Sequence, residues 1–243
     1  MNESKGHRLI VVDLARSLAL LGMVIFHFTF DLELFGHLAP GTTVTGGWAV
    51  FARVVAGSFL FLAGVSLILA NGAGRRWESF RRRFLRVAGA ALVVTGVTLA
   101  ALPQAFIFFG ILHSIAFASL VGMALIGLRW QVLALLAVAV VVADRTLAFD
   151  AFNPLWLVWT GLGTRLPWSM DFVPVFPWLG AFLAGMAVAQ FMARAGLWAR
   201  LSRWQPGALV QRLARPGRHS LAIYLIHQPV LIALVWAGTQ MLG

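Results

Sequence analysis

The chain has 243 residues, of which 60% are hydrophobic and 11% charged, with a mean hydropathy of +0.88. No ordinary soluble domain of this size has that composition, and the absence of cysteine removes disulfides, thiolate metal sites and any cysteine-linked acyl intermediate. The net charge of +11 does not indicate a nucleic-acid partner, because the arginines lie between hydrophobic segments, where they report topology.

Hydrophobic runs predict membrane spans over residues 9–30, 48–70, 84–102, 105–128, 131–149, 173–192 and 219–242. The expected fold is all-α: a single polytopic bundle of about seven transmembrane helices filling residues 1–243, with no separate soluble domain. The first run is too long for a signal-peptide core and lacks a cleavage site, so it reads as a retained span. Pro103-Gln104 and Arg129-Trp130 break the third, fourth and fifth spans into tight hairpins.

One set of alternate loops carries Lys5 and Arg8, then Arg75, Arg76, Arg81, Arg82 and Arg83, then Arg129, then Arg194, Arg200, Arg203, Arg212, Arg215 and Arg218. The other set has Asp31 and Glu33 in its first loop and only Arg165 in the loop 150–172. Positive loops stay in the cytoplasm, which predicts a cytoplasmic N-terminus and an external C-terminus. Within 194–215, Leu197, Trp198, Leu201 and Trp204 form an apolar stripe suited to a helix lying in the cytoplasmic interface until Pro206-Gly207 breaks it. Residues 153–159 are apolar but too short to span, and read as an outer interfacial or re-entrant segment.

Ionisable groups inside spans are costly and mark function unless they pair. In the first span, Asp13, Arg16, His27 and Asp31 fall on one helix face, with Arg16 and His27 roughly 16 Å apart along the axis. Two readings of Asp13 and Arg16 are open: an i,i+3 ion pair, or an arginine that meets a phosphate. His27 one turn before Asp31 has the spacing of an oriented general base. Arg53 and His113 fall in the outer half of their spans, either as substrate contacts or as structural partners, Arg53 for Asp31 or Glu33. His227 and Gln228 sit deep in the last span before Pro229, which kinks the helix there. Gly57, Ser58, Gly64, Ser66, Gly180 and Gly185 are expected to let helices approach closely.

Five blocks resemble the bacterial relatives of the catalytic domain of heparan-alpha-glucosaminide N-acetyltransferase, within the wider transmembrane acyltransferase group. They are residues 12–17 continuing to 23–32, 59–66, 109–113, 174–180 and 217–229, in order along nearly the whole chain. The family pattern usually has Arg-Gly where this chain has Arg16-Ser17. The resemblance implies an enzyme that takes an acyl group from cytoplasmic acyl-CoA, acetyl-CoA in the first instance, and delivers it across the membrane to a sugar amine or hydroxyl. It also places the active-site histidine of the heparan-acting enzyme near His37, as an alternative to His27.

The resulting expectation is a multi-pass protein of a bacterial inner membrane. His27, Asp31 and His113 would be catalytic, Arg16 would hold the donor, and Arg53 and His227 would contact substrate. Its partners would be acyl-CoA, an envelope glycan or other small acceptor, and the bilayer, with room for a homo-oligomer and with no metal. Two rivals share the same features. A transporter or flippase of a lipid-linked or sugar substrate also needs a polar stripe through the bilayer, and a b-type haem protein would use His27 and His113 as axial ligands.

Overall fold

A computed structural model describes residues 9–72 and 74–242; Lys5 and Arg8, counted above for the cytoplasmic side, lie outside them. The described residues are helical, with no strand: α1 (Ile10–Leu34), α2 (Gly46–Asn71), α3 (Trp77–Ala101), α4 (Ile111–Leu125), α5 (Trp130–Thr146), a 3-10 turn (Asp150–Phe152), α6 (Leu155–Val158), α7 (Val175–Arg194), α8 (Leu197–Ser202), α9 (Ala208–Leu213), α10 (Arg215–Arg218) and α11 (Ser220–Leu242). A backbone in hydrocarbon must satisfy its own polar groups, so apolar runs of this length form helices whatever their side-chain propensities.

Five of these helices, α1, α2, α3, α7 and α11, are long and apolar enough to cross a membrane, and α4 is apolar but has 15 residues. The 17 residues of α5 span roughly 26 Å, near the lower limit for a crossing. Every predicted span is therefore helical, with shifted ends. The start of α4 moves from residue 105 to 111 because the Ile107 N–H donates to Thr98 Oγ1, and the carbonyls of Ala105 and Phe109 accept from Met170 and Val173. These backbone groups are met outside a helix, so no further turn forms. The expected interface helix after residue 194 divides into α8, α9 and α10, separated at Pro206-Gly207 and again at Ala214.

By internal contacts the chain divides into two compact units, one of residues 1–59 with 196–243 and one of residues 60–195. In the second, α5 and α4 pack on α7. Glycine permits the closest approaches: a Cβ at Gly64 would overlap the Phe182 carbonyl, and one at Gly185 the Phe61 carbonyl. Phe182, Leu183, Met186, Leu60, Met123 and Leu133 fill the space around them.

In the first unit α1 packs against α10 and α11. Leu18, Leu21, Ile25 and Phe28 point away from the protein on one face of α1, while Asp13, Ala19, Leu20, Met23, Thr29 and Asp31 are buried. This inverts the pattern of a soluble amphipathic helix: lipid meets the apolar face, and the polar stripe turns inward.

Candidate functional site

The stripe on α1 meets its partners in register. Ser17 Oγ accepts from the Gly217 N–H at 2.8 Å, the His27 and His227 ring centroids lie 4.9 Å apart, and Gln228 Nε2 donates to Asp31 Oδ1 at 2.7 Å. Successive contacts advance along both helices together, so α1 and α11 run in the same direction. A Cβ at Gly217 would overlap the Asp13 carbonyl, and this close seat brings the start of α11 alongside α1.

Near the start of α1, Asp13 is 2% exposed and pairs with two arginines, Arg16 Nη1 at 3.0 Å and Arg218 Nε at 3.6 Å. The ion-pair reading of Asp13 and Arg16 thus holds as geometry. Two guanidiniums gathered at one buried carboxylate are also groups of the kind that bind an anion.

Roughly 16 Å further along the axis lies a second polar group made by His27, Asp31, His227 and Gln228. Among the described residues, four buried side-chain atoms have no hydrogen-bond partner, and all four belong to it: His27 Nδ1, Asp31 Oδ2, His227 Nε2 and Gln228 Oε1. Buried polar atoms in proteins are nearly always satisfied, so such a concentration at one seam marks it as the candidate site. Asp31 spends its hydrogen bond on Gln228, and the ring neighbours of His27 are Phe26 and His227. Asp31, counted from sequence in the first loop, lies inside α1 and is fully buried.

Beyond α1, Gly36 (φ 82°) and His37 close a Schellman motif, with His37 N–H donating to Leu32 and Gly36 N–H to Glu33. His37 is exposed and its Nε2 lies 2.7 Å from Thr239 Oγ1 on α11. Glu33 accepts from Gly41 N–H, Thr43 N–H and Thr43 Oγ1, at 2.6, 2.8 and 2.7 Å, which winds the loop after α1 around its carboxylate. Arg53 is exposed on α2 and hydrogen-bonds neither Asp31 nor Glu33.

His113 belongs to the second unit. Its Nδ1 accepts from the Gly110 N–H at 3.3 Å, which puts the ring proton on Nε2; that nitrogen lies 3.2 Å from Thr95 Oγ1, which in turn donates to the Ile107 carbonyl. Both ring nitrogens are thus engaged at the start of α4. Beside it, Asp171 Oδ2 accepts from the Ile111 N–H at 2.9 Å, and burial pushes this carboxyl up to about 6 against the pull of that bond. No cluster of three or more potential metal ligands occurs among the described residues.

Sequence reading singles out His227 and Gln228 without a partner, and misses Arg218 and Asp171. The roughly 200-residue separation between the paired positions of α1 and α11 leaves no local signal. Asp171 shares its loop with a second acidic residue, Asp150, and nothing in the sequence distinguishes the two.

Neither a curated protein nor a solved structure matches the chain. The family described as "Heparan-alpha-glucosaminide N-acetyltransferase, catalytic" matches residues 8–229, which takes in α1 through Pro229 of α11 and so both polar groups of the α1–α11 seam. The chain belongs to the heparan-alpha-glucosaminide N-acetyltransferase catalytic-domain family and is, on that ground, an integral membrane acyltransferase.

Proposed function

We propose that the protein transfers an acyl group, acetyl or another, from cytoplasmic acyl-CoA to an amine or hydroxyl of a sugar or other small envelope acceptor at the outer side of a bacterial inner membrane. The observation that carries this reading is the cluster of four unpartnered buried polar atoms in an apolar layer of a chain from this family.

The chemistry of those atoms favours a ligand rich in hydrogen-bond donors. Gln228 uses its NH2 on Asp31, which fixes its Oε1 as the free end, so Oε1 and Asp31 Oδ2 can only accept while Asp31 is ionised. Hydroxyls and amines supply what they lack. The Arg16 and Arg218 pair, held by Asp13 near the opposite end of α1, suits the donor's phosphates, and the pantetheine arm would run along the seam toward the histidines.

A topology with cytoplasmic N-terminus and external C-terminus accords with this direction of transfer, and parallel α1 and α11 are what an odd number of crossings produces. The seven helices assigned from sequence give such a number. His27, whose ring meets that of His227, is the second imidazole available for proton handling. His113, Arg53 and His37 are assigned supporting parts at most: His113 in holding the start of α4, Arg53 and His37 at the outer surface, where an acceptor arrives.

The test is purified, reconstituted protein supplied with acetyl-CoA and glucosamine. Acceptor-dependent release of CoA thiol with formation of an N- or O-acetyl sugar is expected. Vesicles that move the sugar across the bilayer without consuming acetyl-CoA would replace this reading with transport.

A further inference from the structure

We propose that His227 on α11 is the catalytic base that takes the proton from the acceptor; this rests on the acyl-transfer reading above. Sequence pattern draws attention to His27, through its spacing to Asp31. The hydrogen bonds point to the other imidazole.

His227 Nδ1 lies 2.5 Å from the carbonyl oxygen of Tyr224, one turn back on its own helix. A carbonyl only accepts, so the ring proton of neutral His227 is on Nδ1 and the lone pair is on Nε2. That Nε2 is buried and without a partner. The backbone of α11 therefore sets the tautomer, and the basic nitrogen is aimed at the seam without being consumed by a structural bond. His113 is the counterexample within the same chain, with both ring nitrogens committed. His227 is also bracketed by its neighbours: Gln228 is locked to Asp31, and the His27 ring meets the His227 ring at 68°. The titratable groups around it are His27 and, one turn further along α1, Asp31, together with Tyr224 on its own helix.

In the step assigned to it, the acceptor's nitrogen or oxygen forms a bond to the thioester carbonyl carbon while its proton passes to His227 Nε2. The tetrahedral adduct collapses, the carbon–sulfur bond breaks, and the imidazolium returns the proton to the departing thiolate. The products are the amide or ester, the CoA thiol and neutral His227, with no net change in protons or electrons. Acceptor atoms already in place, Asp31 Oδ2 and Gln228 Oε1, favour the transient positive charge.

The test uses the full chain reconstituted in lipid, with acetyl-CoA as donor and glucosamine as acceptor. His227→Gln preserves length and a hydrogen-bonding amide but cannot take the proton; it is expected to lower kcat/KM by about 100-fold or more and to abolish the acid limb of the pH profile. His27→Gln and Asp31→Asn are expected to keep that limb even where the rate falls. Nitrogen-15 spectra of histidine-labelled protein supply a readout that needs no turnover: the resonance lost in His227→Gln should show a protonated Nδ1 and an unprotonated Nε2. The reverse tautomer, or a folded His227→Gln variant within about threefold of wild type, overturns the assignment. Wild-type protein that releases no thiol from acetyl-CoA, with glucosamine or with water alone, overturns the acyl-transfer reading itself, and the base assignment with it.

Discussion

Gln228 donates its side-chain amide to Asp31 across 2.7 Å, joining α11 to α1 where each residue keeps one buried oxygen without a partner. The bond fixes which way the glutamine faces and so decides what the site offers a ligand. Gln228→Leu removes the donor and leaves Asp31 Oδ1 stranded as well. It is expected to cost about 1–3 kcal/mol of stability, the usual penalty for an orphaned buried group. Asp31→Asn combined with Gln228→Leu should be less destabilised than the sum of the single changes, because the pair interacts directly. Melting temperatures of the three variants in one detergent check both statements; additivity would show that the contact carries no coupling.

The end of the seam that holds Asp13, Arg16 and Arg218 gives a prediction about the donor. Arg16→Ala is expected to raise KM for acetyl-CoA by about 10-fold to 100-fold, in line with losing hydrogen bonds to a charged group worth about 1.5–3 kcal/mol. Arg16→Lys should recover part of the loss, since an ammonium keeps the charge but not the forked geometry. Unchanged donor affinity in Arg16→Ala, together with a lowered melting temperature, would assign the Asp13–Arg16 pair to structure alone.

Asp171 predicts a pH dependence of stability with a definite sign. Its carboxyl is pushed up from 3.8 to about 6, chiefly by burial. Between those values the folded chain holds the proton more tightly than the unfolded chain, so this group's contribution to stability falls as pH rises through the window and levels off above it. Asp171→Asn keeps an oxygen for the Ile111 N–H without the charge. Melting temperature should then vary less between pH 4 and 6, and be higher than wild type at pH 7. Equal slopes in the two proteins would remove Asp171 from the account.

Orientation is tested with reporter fusions. From the arginines at 75, 76, 81, 82 and 83, and those from 194 to 218, reporters at Gly74 and Gly207 are expected to read as cytoplasmic and one at Gly163 as external. An external reporter at Gly74 would reverse the whole arrangement and put Arg16 on the wrong side for acyl-CoA.

The helices were legible in the sequence because each apolar run is long enough to exceed any local competing signal. The ends were less so: α4 starts late because Thr95, Thr98 and residues 169–173 satisfy the backbone before it, a long-range arrangement with no periodic trace. The polar stripe on α1 was legible for a similar reason, as charged and imidazole groups at helical spacing stand out against an apolar background. Which residues face it was not. Gly217, Arg218, His227 and Gln228 are adjacent in the fold only because α1 and α11 run side by side in parallel, and that pairing joins opposite ends of the chain. The tautomer of His227 depends on a single carbonyl and is visible only in three dimensions.

His27 and His37 offer two places where a histidine can act at this end of α1. His27 sits within the seam with its Nδ1 buried and unpartnered and its ring against His227, whereas His37 is exposed in the loop after α1 and already bonded to Thr239. His27→Ala is expected to leave a folded, membrane-inserted protein, since a small apolar residue strands no charge in hydrocarbon. Transfer should nevertheless fall by about 100-fold or more, because His227 loses the ring that meets it and no other imidazole lies on that face of α1. His37→Ala should act differently: it releases the loop from Thr239, so its effect should appear in the KM for glucosamine more than in kcat. Acetyl transfer by both variants, with monodispersity in detergent as the folding control, decides the matter. If kcat collapses in His37→Ala while His27→Ala keeps its rate, the reacting centre lies in the outer loop, and the α1–α11 seam serves structure or donor passage.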